Sequence, residues 1–168
     1  MDNVDDMQPQ TAEVGRGAAQ SPRTLPWNPA HGGPRTLDEA IQIARRNSIT
    51  ISEDVFFIVA DDLVPPDAYA LWCVVQAHGS MRWENFYARG RIPVKIRQAV
   101  LESDEAIVAV FAHETYEIEG LRKLFEHREA IPGAEIIRLI RTGIRGNLHD
   151  QAWDYADLLV AALREEAR

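Results

Sequence analysis

Hydrophobic residues recur at helical spacing in the segment that begins at Thr36. Thr36 and Glu39 have the spacing of a capping box, in which each side chain accepts a hydrogen bond from the other residue's backbone N–H. The apolar positions that follow are Leu37, Ala40, Ile41 and Ala44, which lie on one face of a helix. The pattern predicts a helix that ends near residues 46–48.

Three later segments have the composition of β-strands. Residues 54–60 are β-branched and aromatic between acidic residues, and residues 92–97 alternate between apolar and polar. Residues 69–76 contain a tryptophan and two valines, which favours a strand over a short helix. Pro93 indicates an edge position for its strand, because proline has no N–H to donate to a neighbour. A further short element is expected at residues 81–87 and a turn at residues 89–91.

The longest predicted helix lies in the second half of the chain. Ser103 is a suitable N-cap, and Asp104 and Glu105 follow it in the first turn, where negative charge favours the helix dipole. The helix is expected to run from Ala106 to about Glu126. Residues 106–112 are apolar on every side, which is typical of a central helix covered by its neighbours. A shorter helix is predicted over residues 134–141, and a last amphipathic helix over residues 149–165 after an Asn147 cap.

These elements predict an α+β fold, with a small antiparallel or mixed sheet packed on a buried central helix and a C-terminal helix. A chain of 168 residues is long enough for one domain, which we place at residues 35–168. Residues 1–34 hold five of the nine prolines together with Gly, Gln and Ser. Such a segment buries too little apolar surface to offset its ordering entropy, so we expect a disordered tail.

Charge and composition exclude several classes of protein. The formal net charge of −8 argues against a nucleic-acid binder, which needs a basic surface, and against a nuclease in particular. Arg138, Arg141 and Arg145 are expected on a solvated helix face. The single cysteine, Cys73, rules out an internal disulfide and a multi-cysteine zinc site, and we expect it to be buried on a strand.

The N-terminus is acidic and polar, without the apolar core of a signal peptide, and no stretch approaches transmembrane length. We therefore expect a cytoplasmic protein with no membrane partner. Delivery of the chain as an effector is compatible with the same features.

The best candidate for chemistry is a pair of polar residues on the central helix. His113 and Glu117 are four residues apart, so they are neighbours on a face that also carries apolar residues. Burying such a pair is unfavourable unless a metal ion or a mutual hydrogen bond compensates it. On the last helix, the core-facing line that contains Ala152 leads back to His149 in the first turn. Two histidines and one carboxylate from two packed helices would form an open three-ligand metal site.

The segment His113-Glu114-Thr115-Tyr116-Glu117 resembles the H-E-x-x-H active-site helix of zincin metallopeptidases. The resemblance implies that His113 is the first metal ligand and that Glu114 is the general base for a metal-bound water. His149 or Asp150 would supply the downstream ligand, and Tyr116 is a further candidate, for stabilising an oxyanion. The predicted edge strand before the central helix would align a substrate, as it does in that fold.

Glu117 stands where the zincin motif has its second histidine. A carboxylate in this position favours manganese, iron or magnesium over zinc, relative to the usual ligand set. The expected cofactor is therefore a divalent metal ion, either zinc or a harder metal. Residues 92–121 and 146–153 also look like uncharacterised modules at the C-termini of bacterial polymorphic toxins.

Two functions follow as hypotheses. The first is a metal-dependent hydrolase of zincin type, most simply a peptidase or an effector domain that acts on a peptide or protein. The second is a non-catalytic interaction or regulatory protein related to such enzymes, in which His113 and Glu117 form a buried structural pair and Glu114 is solvated. Under both hypotheses we expect three tryptophans, Trp72, Trp83 and Trp153, to lie in the core or at an interface. We expect His78 and His127 to lie on the surface.

Overall fold

The fold is α+β, as the sequence predicts. The computed structural model describes residues 14–18, 27–30 and 32–168, with only the backbone described for residues 14–18. In this part of the chain the helices are α1 (Leu37–Arg46), α2 (Asp104–Phe125), α3 (Gly133–Ile140) and α4 (Leu148–Glu166). The strands are β1 (Val14–Ala18), β2 (Val55–Val59), β3 (Ala70–Gln76), β4 (Ser80–Met81), β5 (Ile92–Ile96) and β6 (Ile131–Pro132). None of the described helices combines the length and the apolar character needed to cross a membrane.

The helices begin at the capping residues that the sequence indicates. Thr36 Oγ1 accepts a hydrogen bond from the Glu39 N–H at 3.2 Å, and Glu39 Oε2 accepts from the Thr36 N–H at 2.7 Å, which completes the predicted capping box. Ser103 caps α2, and Asn147 caps α4 by accepting from the Asp150 N–H at 2.9 Å. These side chains occupy backbone donors that the first turn of a helix leaves without partners.

The main sheet has the strand order β1-β3-β5-β2. β2 runs parallel to β5, whereas β3 is antiparallel to both β1 and β5, so the sheet is mixed. β4 and β6 form a separate two-stranded pair. The three strands predicted after α1 are confirmed, and the short element expected at residues 81–87 is a 3₁₀ turn over Trp83–Phe86.

The edge position predicted from Pro93 is wrong, because β5 lies between β3 and β2. The Ile92 N–H donates to Asp54 O, next to β2. Backbone N–H groups point alternately to the two sides of a strand, so the nitrogen of Pro93, the next residue, faces β3. The pairing of β3 with β5 includes only Ala70 with Ile96 and Leu71 with Lys95. Beside Pro93 the two strands have already separated, so the missing N–H removes no bond from the sheet.

Helix α2 is the centre of the core. Its residues 106–112 are all at most 2% exposed, which confirms the prediction made from their apolar character. Phe111 of α2 stacks on Phe57 of β2, with the ring centroids 4.0 Å apart. The sheet therefore packs on one side of this helix.

Helix α4 packs closely along α2. Ala152 and Ala156 of α4 are fully buried, and a Cβ added to Gly120 of α2 would lie 2.4 Å from Leu148 Cδ1. Small residues at such a contact allow two helix backbones to approach each other. The first turn of α4 consequently lies against the middle of α2, where His113 and Glu117 are located.

Part of the predicted tail contacts the folded domain. Both the backbone and the side-chain N–H groups of Asn28 donate to the Glu105 carboxylate at 3.0 Å, and the Ala30 N–H donates to Glu102 O at 2.8 Å. β1 pairs with β3. The ordered unit thus includes segments before residue 35, whereas residues 1–13, 19–26 and 31 of the predicted tail lie outside the described residues.

Candidate metal centre

One atom from each of His113, Glu117 and His149 meets at a single point between α2 and α4. His113 Nε2 and His149 Nδ1 are 3.2 Å apart, and His149 Nδ1 is 3.2 Å from Glu117 Oε2. The third side of the triangle, from His113 Nε2 to Glu117 Oε2, measures 3.6 Å. The predicted clustering of these residues is therefore confirmed, and the group could hold a metal ion.

The spacing of these atoms suits a small divalent ion. Two ligands about 2.1 Å from a tetrahedral ion are about 3.4 Å apart. The three observed separations, 3.2, 3.2 and 3.6 Å, lie on either side of that value. By this geometry, an ion about 2.1 Å from all three atoms would lie just outside the plane of the triangle.

The His113 ring is held at both ends. Its Nδ1 lies 3.2 Å from Glu114 Oε1, and the tautomer that satisfies this contact carries the proton on Nδ1 and donates it to the carboxylate. Nε2 is then an acceptor that points at Glu117 and His149. Burial, and secondarily the nearby His149 ring, lowers the pKa of His113 well below its ordinary value, which favours the neutral form that a metal ligand requires. The Trp153 ring packs against His113 with the centroids 4.5 Å apart.

Glu117 has one carboxylate oxygen engaged on each side. Oε1 accepts a hydrogen bond from the indole Nε1–H of Trp72 at 3.0 Å, and Oε2 faces the two histidines. The residue is fully buried, and burial raises its pKa, although the hydrogen bonds from His149 and Trp72 oppose the shift. A cation at Oε2 would stabilise the ionised form in the same way that these donors do.

His149 enters the site from the first turn of α4, where the sequence predicts it. Its Nδ1 points at Glu117 and His113, and its Nε2 lies 3.4 Å from Thr142 Oγ1 in the segment between α3 and α4. The residue is 3% exposed. Every ligand atom in the triangle thus belongs to a side chain whose other polar atom contacts a neighbour, which is typical of a metal site with an outer layer of orienting residues.

Glu114 is fully buried, so its expected solvation in the non-catalytic hypothesis is wrong. Its Oε1 lies beside Nδ1 of His113, which is on the opposite side of the ring from the Nε2 that faces Glu117 and His149. The contact supports an orienting role for Glu114 more than the role of base that the zincin resemblance implies. Its Oε2 is buried without a hydrogen-bond partner, and burial, together with the charge of Glu117, raises the pKa of Glu114 well above its usual range.

Two further candidates have other contacts. The Tyr116 hydroxyl lies 3.4 Å from Gln151 Oε1 and is half-buried on another face of α2. Asp150 Oδ2 accepts a hydrogen bond from the Gly146 N–H at 2.8 Å, in the turn that precedes α4. Neither side chain belongs to the group that converges on a common point.

Sequence reasoning missed two residues of this centre, Trp72 and Thr142. Trp72 is 3% exposed, as expected of a core residue, but its indole N–H also bonds a candidate ligand. A buried tryptophan requires an acceptor for that N–H, so the polar environment was indicated in principle. Nothing in the sequence identified Glu117, 45 positions away, as the acceptor.

Comparisons of the chain with protein-family models, with curated proteins and with solved structures give no match.

The arrangement as a whole favours binding over catalysis. His113, Glu114 and Glu117 have no exposed surface, and His149 has almost none. A hydrolytic metal ion needs a ligand position that both water and substrate can reach. In this conformation the side chains could hold an ion but leave no surface on which a peptide could contact it.

Proposed function

We propose that this chain is a metal-binding protein in which one divalent transition-metal ion fastens α4 to α2. The observation that carries the proposal is the convergence of His113 Nε2, Glu117 Oε2 and His149 Nδ1, at separations of 3.2–3.6 Å in a buried site. Two helices contribute the ligands, so the ion would stabilise their packing. Its role would be structural or regulatory, because the ligands are shielded from substrate.

Charge balance supports the same conclusion. Glu114 and Glu117 are both fully buried within three residues of each other, and burial disfavours the ionised form of each. A divalent cation supplies two positive charges where the folded protein has two carboxylates. The energetic disadvantage of two buried carboxylates in a metal-free core is therefore a second argument for an ion at this site.

The test is metal analysis of protein purified without chelator, with a matched pair of histidine variants. We expect one divalent transition-metal ion per chain in the wild type. We expect the same in His78→Gln, because His78 is exposed and lies outside the candidate site. We expect a large loss of bound metal in His149→Gln. Wild-type protein that retains no ion, takes up none from solution and unfolds identically with and without EDTA would refute the proposal.

A metal-dependent hydrolase acting on peptides or proteins is the second candidate. The observation in its favour is that three protein ligands leave the fourth position of a tetrahedral ion for water, as in catalytic zinc sites. Catalysis would require the segment that joins α3 to α4 to move and expose His149. Peptide cleavage by metal-loaded wild type, absent in His113→Gln incubated with the same metal, would support this function. Loaded protein that cleaves none of a diverse peptide set would leave only the binding role.

A further inference from the structure

We infer that Trp72 determines the metal specificity of this centre by restricting Glu117 to a single ligand oxygen, and that the site is thereby selective for a four-coordinate ion of the zinc type. The inference rests on the proposed function and deepens it. Trp72 would be a positioning residue, since it touches Glu117 and contacts no ion itself.

The first step is the hydrogen bond from the Trp72 indole. Its Nε1–H donates to Glu117 Oε1 at 3.0 Å, and both residues are buried, at 3% and 0% exposure. A buried donor that loses its acceptor keeps the full cost of its desolvation, so this hydrogen bond is not readily given up. Oε1 is thus held away from an ion, and Glu117 offers only Oε2.

The second step is the orientation of the indole, which the fold fixes. Trp72 lies on β3 just beyond the last residue paired with β5, and its ring packs against Phe86 with the centroids 5.1 Å apart. Neighbouring strand and aromatic contacts leave the ring little freedom to rotate. The N–H therefore points at Glu117 whether or not an ion is bound.

The third step is the number of ligand atoms. His113, His149 and a one-oxygen Glu117 supply three atoms that lie 3.2–3.6 Å from one another. Three atoms and one water complete a four-coordinate ion, but they are only half of an octahedral set. Manganese and magnesium prefer six oxygen-rich ligands, whereas zinc accepts four mixed ones. In the sequence, Glu117 shifts the expected preference toward harder metals relative to the usual zincin ligands, with zinc still among the expected ions; the indole contact opposes that shift.

The experiment compares Trp72→Phe with Trp83→Phe. The indole of Trp83 donates to the Tyr87 hydroxyl at 3.1 Å, so this control removes an indole N–H that touches no candidate ligand. Zinc and manganese dissociation constants would be measured for each protein, and cobalt(II) would serve as a spectroscopic probe. We expect intense visible bands of four-coordinate cobalt in the wild type and in Trp83→Phe.

In Trp72→Phe, Glu117 is free to bind through both oxygens. We expect weaker bands of a higher-coordinate cobalt complex and a fall of about tenfold in the preference for zinc over manganese. A folded Trp72→Phe protein with wild-type bands and an unchanged preference overturns the inference. So does a six-coordinate cobalt spectrum in the wild type.

A measurement on wild-type protein keeps the inference testable if Trp72→Phe does not fold. Zinc addition should shift the indole N–H resonance of Trp72 and leave that of Trp83 in place. Bound zinc with an unshifted Trp72 resonance contradicts the role assigned to Trp72 while sparing the proposed function. If metal analysis finds no bound zinc, both the role of Trp72 and the proposed metal-binding function are refuted.

Discussion

At the scale of single residues, His113, Glu117 and His149 each present one polar atom to a common point and use the other to contact a neighbouring side chain. Helical spacing places His113 beside Glu117, and the apolar line of α4 brings His149 toward them. The direction of Glu114 and the partner of Trp72 depend on side-chain rotamers and on strands distant in sequence. The zincin resemblance gave Glu114 the position of a base, whereas its Oε1 lies 3.2 Å from Nδ1 of His113.

Glu114→Gln should stabilise the metal-free protein, and more so as the pH rises. Burial raises the folded-state pKa of Glu114 above its unfolded value of 4.5, so the folded state is not penalised below that pH and loses stability as the pH rises toward the folded pKa. Glutamine carries no charge. In urea titrations with EDTA, the variant should match wild type near pH 4 and exceed it by about 1–3 kcal/mol at pH 7.

The control for this prediction is Glu126→Gln, at an exposed position that follows the same helix. The stability of this control should stay within about 0.5 kcal/mol of wild type, as is usual for a surface substitution. If the unfolding free energies of wild type and Glu114→Gln change in parallel with pH, burial does not destabilise the ionised form of Glu114.

At the scale of elements, local signals predicted the helices well because caps and apolar periodicity act over a few residues. The boundaries of α1, α2 and α4 follow from Thr36, Ser103 and Asn147, whose side chains bond backbone groups three positions away. The position of β5 in the sheet was not predictable in this way. Proline at 93 is tolerated because β3 has separated from β5 at that point, which is a tertiary fact.

Gly120→Ala tests how tightly α4 is seated on α2. In an open helix, alanine in place of glycine is stabilising by about 1 kcal/mol. Here the new Cβ would lie 2.4 Å from Leu148 Cδ1, so the half-buried Leu148 side chain beside the candidate ligand His149 must shift; we expect the usual gain to be lost and zinc binding to weaken. Urea unfolding and zinc titration measure both effects.

Adding Leu148→Ala to Gly120→Ala removes the clash and should restore part of the loss, with a coupling energy of about 0.5–3 kcal/mol. A single Gly120→Ala variant that is more stable than wild type would show that α4 can move away from α2 freely.

At the scale of the whole molecule, the Glu105 carboxylate joins a segment near the start of the chain to the C-terminal helix. No local sequence pattern predicted these contacts. Glu105 accepts hydrogen bonds from Asn28 and from Arg164 near the end of α4. The sequence predicts Glu105 only as a favourable charge in the first turn of α2. Its partners are 77 and 59 positions away, and such distant pairings are not encoded in any short window.

Glu105→Gln should be less stable than wild type at neutral pH but not in acid. Hydrogen bonds from Arg164, and then from Asn28, lower the folded-state pKa of Glu105, so its contribution is present above its unfolded pKa of 4.5 and is lost as the pH falls through the folded pKa. Urea titrations should show a deficit of about 1.5–3 kcal/mol at pH 7 that shrinks in acid. Glu166→Gln, exposed at the end of α4, should show no deficit at either pH.

An ion shared by two helices should raise the melting temperature of the entire domain. Free zinc at a hundred times its dissociation constant contributes about 2.7 kcal/mol, which for a chain of this size corresponds to about 5–10 °C. Calorimetry with and without zinc measures the shift, and His149→Gln should show little of it. An equal shift in that variant would place the zinc elsewhere on the protein.

The packing of Trp153 on the His113 ring has a practical consequence. An indole in van der Waals contact with an imidazole senses the electronic state of that ring, and loading the imidazole with a cation changes its ability to quench emission. With its centroid 4.5 Å from that of His113, Trp153 is a native fluorophore beside the candidate metal centre. Occupancy could thus be followed optically in unlabelled protein.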